Sequence, residues 1–162
     1  RFYPYYRAKR LGAESLLDAV DFATGRPTKF KNLPLGTRAI ELPDAEYPNY
    51  FLITFGKPRR VSVCECERSP DENLAQALHT LNGDTLTEKI SNADGRIAAL
   101  LKQELAAEKM IEELYLATVC RLPTSAEQAI CLEIVEESDS PKEGYEDLMW
   151  ALMNSKDFLY VK

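Results

Sequence analysis

Cys64-Glu65-Cys66 sets two thiols one residue apart, and His79 follows within the next predicted helix. Two thiolates and an imidazole are soft ligands of the kind that zinc or iron takes. Glu65 or Glu67 is the available fourth ligand. The spacing argues against a structural zinc site, whose cysteines usually stand two to four residues apart. Covalent haem needs a Cys-x-x-Cys-His run, which the sequence lacks. A disulfide between Cys64 and Cys66 would close a tight, strained ring, and such bonds are labile and redox-active. We read the pair as packed structural thiols, with a metal site on Cys64, Cys66 and His79 or a thiol redox couple as the alternatives. His79 is the only histidine, so any Cys-His or Ser-His-Asp arrangement must use it.

Charge surrounds the thiols. Arg59, Arg60 and Arg68 alternate with Glu65, Glu67 and Asp71, and Arg38 and Glu41 lie upstream. Carboxylates this close to guanidinium groups are expected to form salt bridges, so we read Arg59, Arg60, Glu65, Glu67, Arg68, Glu41 and Arg38 as a structural charge network. A hydrolase using the carboxylates near Arg68 is a third reading. There is no Gly-rich phosphate loop, G-x-S-x-G elbow, H-E-x-x-H or EF-hand loop. The enzyme classes marked by those motifs are excluded.

The elements that must position these residues divide into two parts. The first part opens with the aromatic, basic stretch 1–10, expected as an edge segment; a sugar- or base-stacking platform is the other use of such residues. Ala13, Leu16, Leu17 and Val20 then recur at helical spacing and predict a helix over Ala13–Thr24. Gly25 suits its left-handed end, and Pro27 prevents its resumption. Six of the nine prolines fall between Pro27 and Pro70. That density predicts no helix there, but an ordered wrap with extended pieces near 38–41, 50–55 and 60–66. Apolar residues such as Phe30, Tyr47 and Phe51 would be costly to leave in water.

The second part is helical. Ser69-Pro70-Asp71-Glu72 has the Ser cap, Pro at the first position and Glu at the third that open a helix, here to about Leu81. A short helix is expected from Thr85, capped by Thr85 or Asp84. Another, capped by Asp94, runs through Leu105, and one spans Ala106–Arg121, with Met110, Ile111, Leu114 and Thr118 inward. Thr124-Ser125-Ala126-Glu127 and Ser140-Pro141-Lys142-Glu143 start two more, and Asn154-Ser155 caps a final turn. Cys120 and Cys131 are read as small core residues too far apart to bridge. The fold class expected is mainly α: an antiparallel array of short helices in a single domain over 1–162, with a long, proline-rich, mostly irregular N-terminal wrap.

Composition sets the outer bounds. The 162 residues are 45% hydrophobic and 28% charged, as in a globular protein. A net charge of -6 argues against nucleic acid or anionic lipid as partner. Residues 1–70 carry 12 Lys/Arg against 8 Asp/Glu, and residues 71–162 carry 8 against 18, as complementary parts of one domain would. No apolar run is long enough to span a membrane. The opening Arg1-Phe2-Tyr3-Pro4-Tyr5-Tyr6, without an initiating Met, leads us to expect a piece of a longer protein.

Several phrases carry a family likeness. They include Leu16-Leu17-Asp18-Ala19, Gly36-Thr37-Arg38-Ala39, Phe55-Gly56-Lys57-Pro58-Arg59-Arg60, Cys64-Glu65-Cys66-Glu67-Arg68, Leu74-Ala75-Gln76-Ala77-Leu78-His79 and Trp150-Ala151-Leu152-Met153-Asn154-Ser155-Lys156. Across nearly its whole length the chain resembles the planctomycete-type domain of unknown function 1553. That resemblance implies the C-terminal part of a large exported bacterial protein, periplasmic or surface-attached, often with a cytochrome-c-like domain upstream. It implies partners among the other domains of the parent and names no catalytic residue. The haem of such parents would belong to the cytochrome part, so no cofactor is expected here outside the zinc or iron alternative. The function expected is an uncharacterised, non-catalytic structural or interaction module.

Two substitutions test the reading of the charged stretch. Ser69→Ala should cost about 1 kcal/mol through loss of its cap. Arg68→Ala should cost about 3–5 kcal/mol if its charge is buried. Chemical denaturation measures both, and an equally small loss for each would mean that Arg68 is solvated.

Overall fold

Ala13, Leu16, Leu17, Val20 and Ala23 share one face of the first helix, α1 (Ala13–Thr24), and each is at most 2% exposed. The helix begins and ends where its sequence predicts. Its end is a Schellman motif: Gly25 has φ 68°, its N–H donates to the Phe22 carbonyl, and the Arg26 N–H donates to the Asp21 carbonyl. A computed structural model describes residues 8–43, 47–57 and 84–161. The expected helix over Pro70–Leu81, the extended piece near 60–66 and most of the aromatic start lie outside the described residues.

The described part of the chain is mainly α, as expected, with eight α-helices among those residues. After α1 come α2 (Tyr50–Thr54), α3 (Asp84–Ile90), α4 (Arg96–Leu101), α5 (Ala107–Val119), α6 (Ser125–Glu137), α7 (Pro141–Met153) and α8 (Lys156–Leu159). A two-stranded antiparallel ribbon pairs β1 (Lys9–Arg10) with β2 (Tyr160–Val161), Lys9 opposite Val161 and Arg10 opposite Tyr160. It ties the first described residues to the last.

Two helices organise the packing. Helix α1 packs on α2, α3, α4 and α5, and α7 packs on α3, α4, α5, α6 and α8. Between them lies one apolar core that includes Leu16, Leu52, Ile97, Ile111, Leu114 and Met149. Fully burying a side chain of this size contributes about 1.5–3 kcal/mol. The caps of α6, α7 and α8 are as the sequence predicts. The hydroxyls of Thr124, Ser140 and Ser155 accept from the N–H groups of Glu127, Glu143 and Phe158. Glu127 reaches back to the Thr124 N–H at 2.7 Å and completes a capping box.

The proline-punctuated wrap departs from expectation in two places. Tyr50–Thr54 is helical, where an extended piece was expected. Its β-branched and aromatic residues read as strand, but three local contacts decide otherwise. The Asn49 side chain accepts from the Leu52 N–H at 3.1 Å, Phe51 and Phe55 stack at 4.3 Å, and Gly56 at φ 80° closes the turn. Pro48 precedes the cap, so it removes no bond from the helix. Ala39–Glu41 is a 3-10 turn and likewise not extended. The Arg38 N–H donates to the Glu41 carboxylate at 3.0 Å and the Glu41 N–H to the Arg38 carbonyl.

The helical half shows smaller departures. Helix α4 stops at Leu101 and does not reach Leu105, because Glu104 adopts φ 52°. Its N-cap is Gly95 and not Asp94; the Asp94 N–H donates to the Asn92 side chain in the preceding turn. Cys120 is exposed and not a core residue. It sits at φ 56°, past the end of α5, where the chain has left the buried face.

Gly144 is buried where α7 meets α6. A Cβ there would lie 2.8 Å from the Val135 Cα and 2.8 Å from the Ser138 Oγ. Gly144→Ala should therefore destabilise the fold by about 1–3 kcal/mol, because backbone and not a flexible side chain must yield. Chemical denaturation checks this; unchanged stability would mean that the two helices are free to separate.

Candidate functional site

Asp18 and Asp21 lie three residues apart on α1, beside its apolar face. Both carboxylates point at the wrap. Asp18 accepts from the N–H of Ala39 at 2.5 Å and of Ile40 at 3.4 Å, and the Arg38 Nε lies 3.4 Å away. Asp21 accepts from the Thr28 N–H at 2.6 Å and the Thr28 hydroxyl at 2.9 Å. The Lys89 Nζ, brought by α3, is 2.8 Å from Asp21 and donates to the Arg26 carbonyl at 2.7 Å. The Asp21 and Lys89 side chains are 14% and 13% exposed. A pair this withdrawn from water needs every partner it has.

Arg96, at the start of α4, completes the junction. Its Nε donates to the Ala23 carbonyl and its Nη2 to the Phe22 carbonyl, each at 2.7 Å. Its guanidinium stands 5.4 Å from the centre of the Phe22 ring. The last carbonyls of a helix have no partner inside it and carry the negative end of the dipole. Here Arg26 N–H, Gly25 N–H and Arg96 supply what those of Asp21, Phe22 and Ala23 need.

Among the described residues, two of the clefts beside α1 border this junction. One, of about 310 Å³, is lined by Arg26, Thr28, Asn49, Tyr50, Glu88 and Lys89 among others. The other, of about 730 Å³, lies over Asp18, Phe22, Gly36, Arg38 and Arg96. The Asp21 oxygens, at the wall of the larger cleft, are already occupied by three donors, and Lys89 is held by Asp21 and a carbonyl. This chemistry joins segments.

A second charged cluster links the ends of α5, α6 and α8. The Arg121 guanidinium grips Glu127 with two bonds, at 2.9 and 2.7 Å, and reaches Asp157 at 3.2 Å. It also stands 5.5 Å from the centre of the Tyr115 ring. Arg121, followed by the Thr124 N–H and hydroxyl, lowers the Glu127 carboxyl from the ordinary 4.5 to about 2. The same contacts, Glu127 first and then Asp157, hold Arg121 more firmly protonated than usual. Behind the ring, the Tyr115 hydroxyl lies 3.7 Å from the Cys131 Sγ. Burial raises the pKa of both groups, so neither phenolate nor thiolate is favoured. Cys120 and Cys131 are both free, as expected.

Of the site residues expected from sequence, Arg38 and Glu41 are placed, within the Asp18 junction. Cys64, Cys66, His79, Arg59, Arg60, Glu65, Glu67 and Arg68 lie outside the described residues. Among the described residues, no group of three or more His, Cys, Asp or Glu could hold a metal ion. Asp18, Asp21, Lys89, Arg96 and Arg121 were not singled out by sequence reading. Two acids at i and i+3 beside an apolar face were the available signal for the first two.

The family model described as PSD1, protein of unknown function (DUF1553), matches residues 1–135. No curated protein and no solved structure matches the chain.

The Glu127 contacts have a pH signature. A carboxyl whose pKa is lower in the folded state contributes stability above its unfolded value and loses it as pH falls through the folded one. The stability gap between the natural protein and Glu127→Gln should be constant above about pH 4.5 and close as pH approaches about 2. Denaturation curves across that range check it; a gap that does not change with pH would mean the ion pair is absent in solution.

Proposed function

The chain belongs to the DUF1553 family, and from that premise we propose that it is a non-catalytic structural or interaction module of a larger exported bacterial protein. One observation carries this reading. The charged side chains around α1 bind backbone groups of other segments: Asp18 holds Ala39, Asp21 holds Thr28, Lys89 holds Arg26 and Arg96 holds Phe22 and Ala23. Groups used in this way build a shape. A general acid or base instead needs a free proton position facing a substrate.

On this reading Cys64, Cys66 and the arginines around them extend the same architecture, and the partners are the other domains of the parent protein. No described helix is long and apolar enough to cross a membrane. Export to the periplasm or cell surface, and association with a cytochrome-c-like domain, belong to the proposal.

The test uses the full chain purified without chelator. It should hold less than about 0.1 zinc or iron per chain and show no hydrolysis of model esters or glycosides above buffer. Stoichiometric metal that is lost in Cys64→Ser or His79→Ala would replace this reading with a metal module. Turnover that is lost in Glu67→Gln while the fold survives would replace it with a hydrolase.

A further inference from the structure

Helix α6 has two apolar faces. Cys131 and Val135 are buried on the side packed against α5 and α7. Ala126, Ile130 and Ile134 stand at i, i+4 and i+8, one row along the helix, and all three are exposed, Ile130 by 57% and Ile134 by 38%. Leu122, in the turn that leads into the helix, is 58% exposed. Single exposed apolar residues are ordinary on a protein surface. A row at helical spacing, on the side where a surface helix normally carries polar residues, has the form of a docking seam.

The charge beside that row decides what fits it. Glu133, Glu136 and Glu137 are exposed around it, and α6 contains no Lys or Arg. Its fourth acid, Glu127, is already taken by Arg121. A second copy docking through the same face would set these acids against their own kind. A straight ridge of one i, i+4 row suits the groove of another helix. A helix whose apolar side is edged with Lys or Arg would bury the isoleucines and neutralise the acids together.

We propose that the outer face of α6 is a docking surface for a basic amphipathic helix of a partner domain. The proposal rests on the interaction-module reading and gives it a surface and a partner chemistry. Ile130 and Ile134 are the anchors, and Glu133 and Glu137 set orientation and salt sensitivity.

The test is fluorescence anisotropy of the full chain with a labelled leucine–lysine amphipathic helical peptide, beside an oligolysine of equal charge. The leucine–lysine peptide should bind, more weakly as salt rises. Affinity should drop about tenfold or more in Ile130→Ser/Ile134→Ser and in Glu133→Lys/Glu137→Lys. Thermal melts by circular dichroism confirm that these exposed positions leave the fold intact. Equal binding of oligolysine, undiminished binding by both double variants, or no binding at all would overturn the proposal. So would self-association that the isoleucine substitutions abolish, which would make a second copy the occupant. A chain free of metal and turnover that ignores the peptide would lose this surface but keep the module reading; metal or turnover would remove that reading whether or not the peptide binds.

Discussion

Two carboxylates on one helix hold a segment that cannot hold itself. Between Gly25 and Pro43 the wrap has too many prolines to build a ladder or a long helix, yet its remaining N–H groups need acceptors. Asp18 and Asp21 supply them at Ala39, Ile40 and Thr28. Bonds from backbone N–H to an ionised carboxylate are short and strong, which offsets part of the cost of drawing the charges from water. Lys89 and Arg38 then balance those charges. The apolar side of the same segment follows: Phe30 is 1% exposed, meets the edge of Tyr47, and Tyr47 bonds back to the Lys31 carbonyl.

The same helix end fixes the helices beyond it. Because Arg96 binds the carbonyls of Phe22 and Ala23, the start of α4 must lie against the end of α1. A Cβ on Gly25 would be 3.3 Å from the Arg96 N, and one on Gly95 would be 3.4 Å from the Thr24 carbonyl oxygen. Gly25 meets two demands at once, a left-handed turn and a close approach. Lys89 pins α3 to the neighbouring turn. Helix α7, packed on both α3 and α4, is oriented through them. The ribbon of Lys9–Arg10 with Tyr160–Val161 closes the other side, where Arg10 stands 4.8 Å from the centre of the Phe55 ring in the turn after α2.

Signals contained within one helical turn were legible in the sequence. Gly25, the Thr124–Glu127 box, Ser140-Pro141 and Ser155 each mark a boundary through groups three or four residues apart, and each is where its chemistry demands. The described part of the wrap was legible as packed on the helices but not in its local form. In Tyr50–Thr54 strand-like composition lost to an Asn cap and to the burial of Phe51 and Leu52. Pairings such as Lys89 with Arg26, or Arg96 with Phe22, span more than sixty residues and leave no pattern in a single chain. The outward row on α6 leaves no separate mark in the sequence, because its apolar residues are interleaved with those of the buried face.

Native-state amide exchange is the most direct test of the carboxylate clasp. In Asp18→Ala the Ala39 and Ile40 amides, and in Asp21→Ala the Thr28 amide, should exchange about tenfold faster or more relative to amides in the middle of α7. Exchange at those three amides that simply tracks α7 in both variants would contradict it, and would mean that the wrap is held by its buried aromatic residues alone.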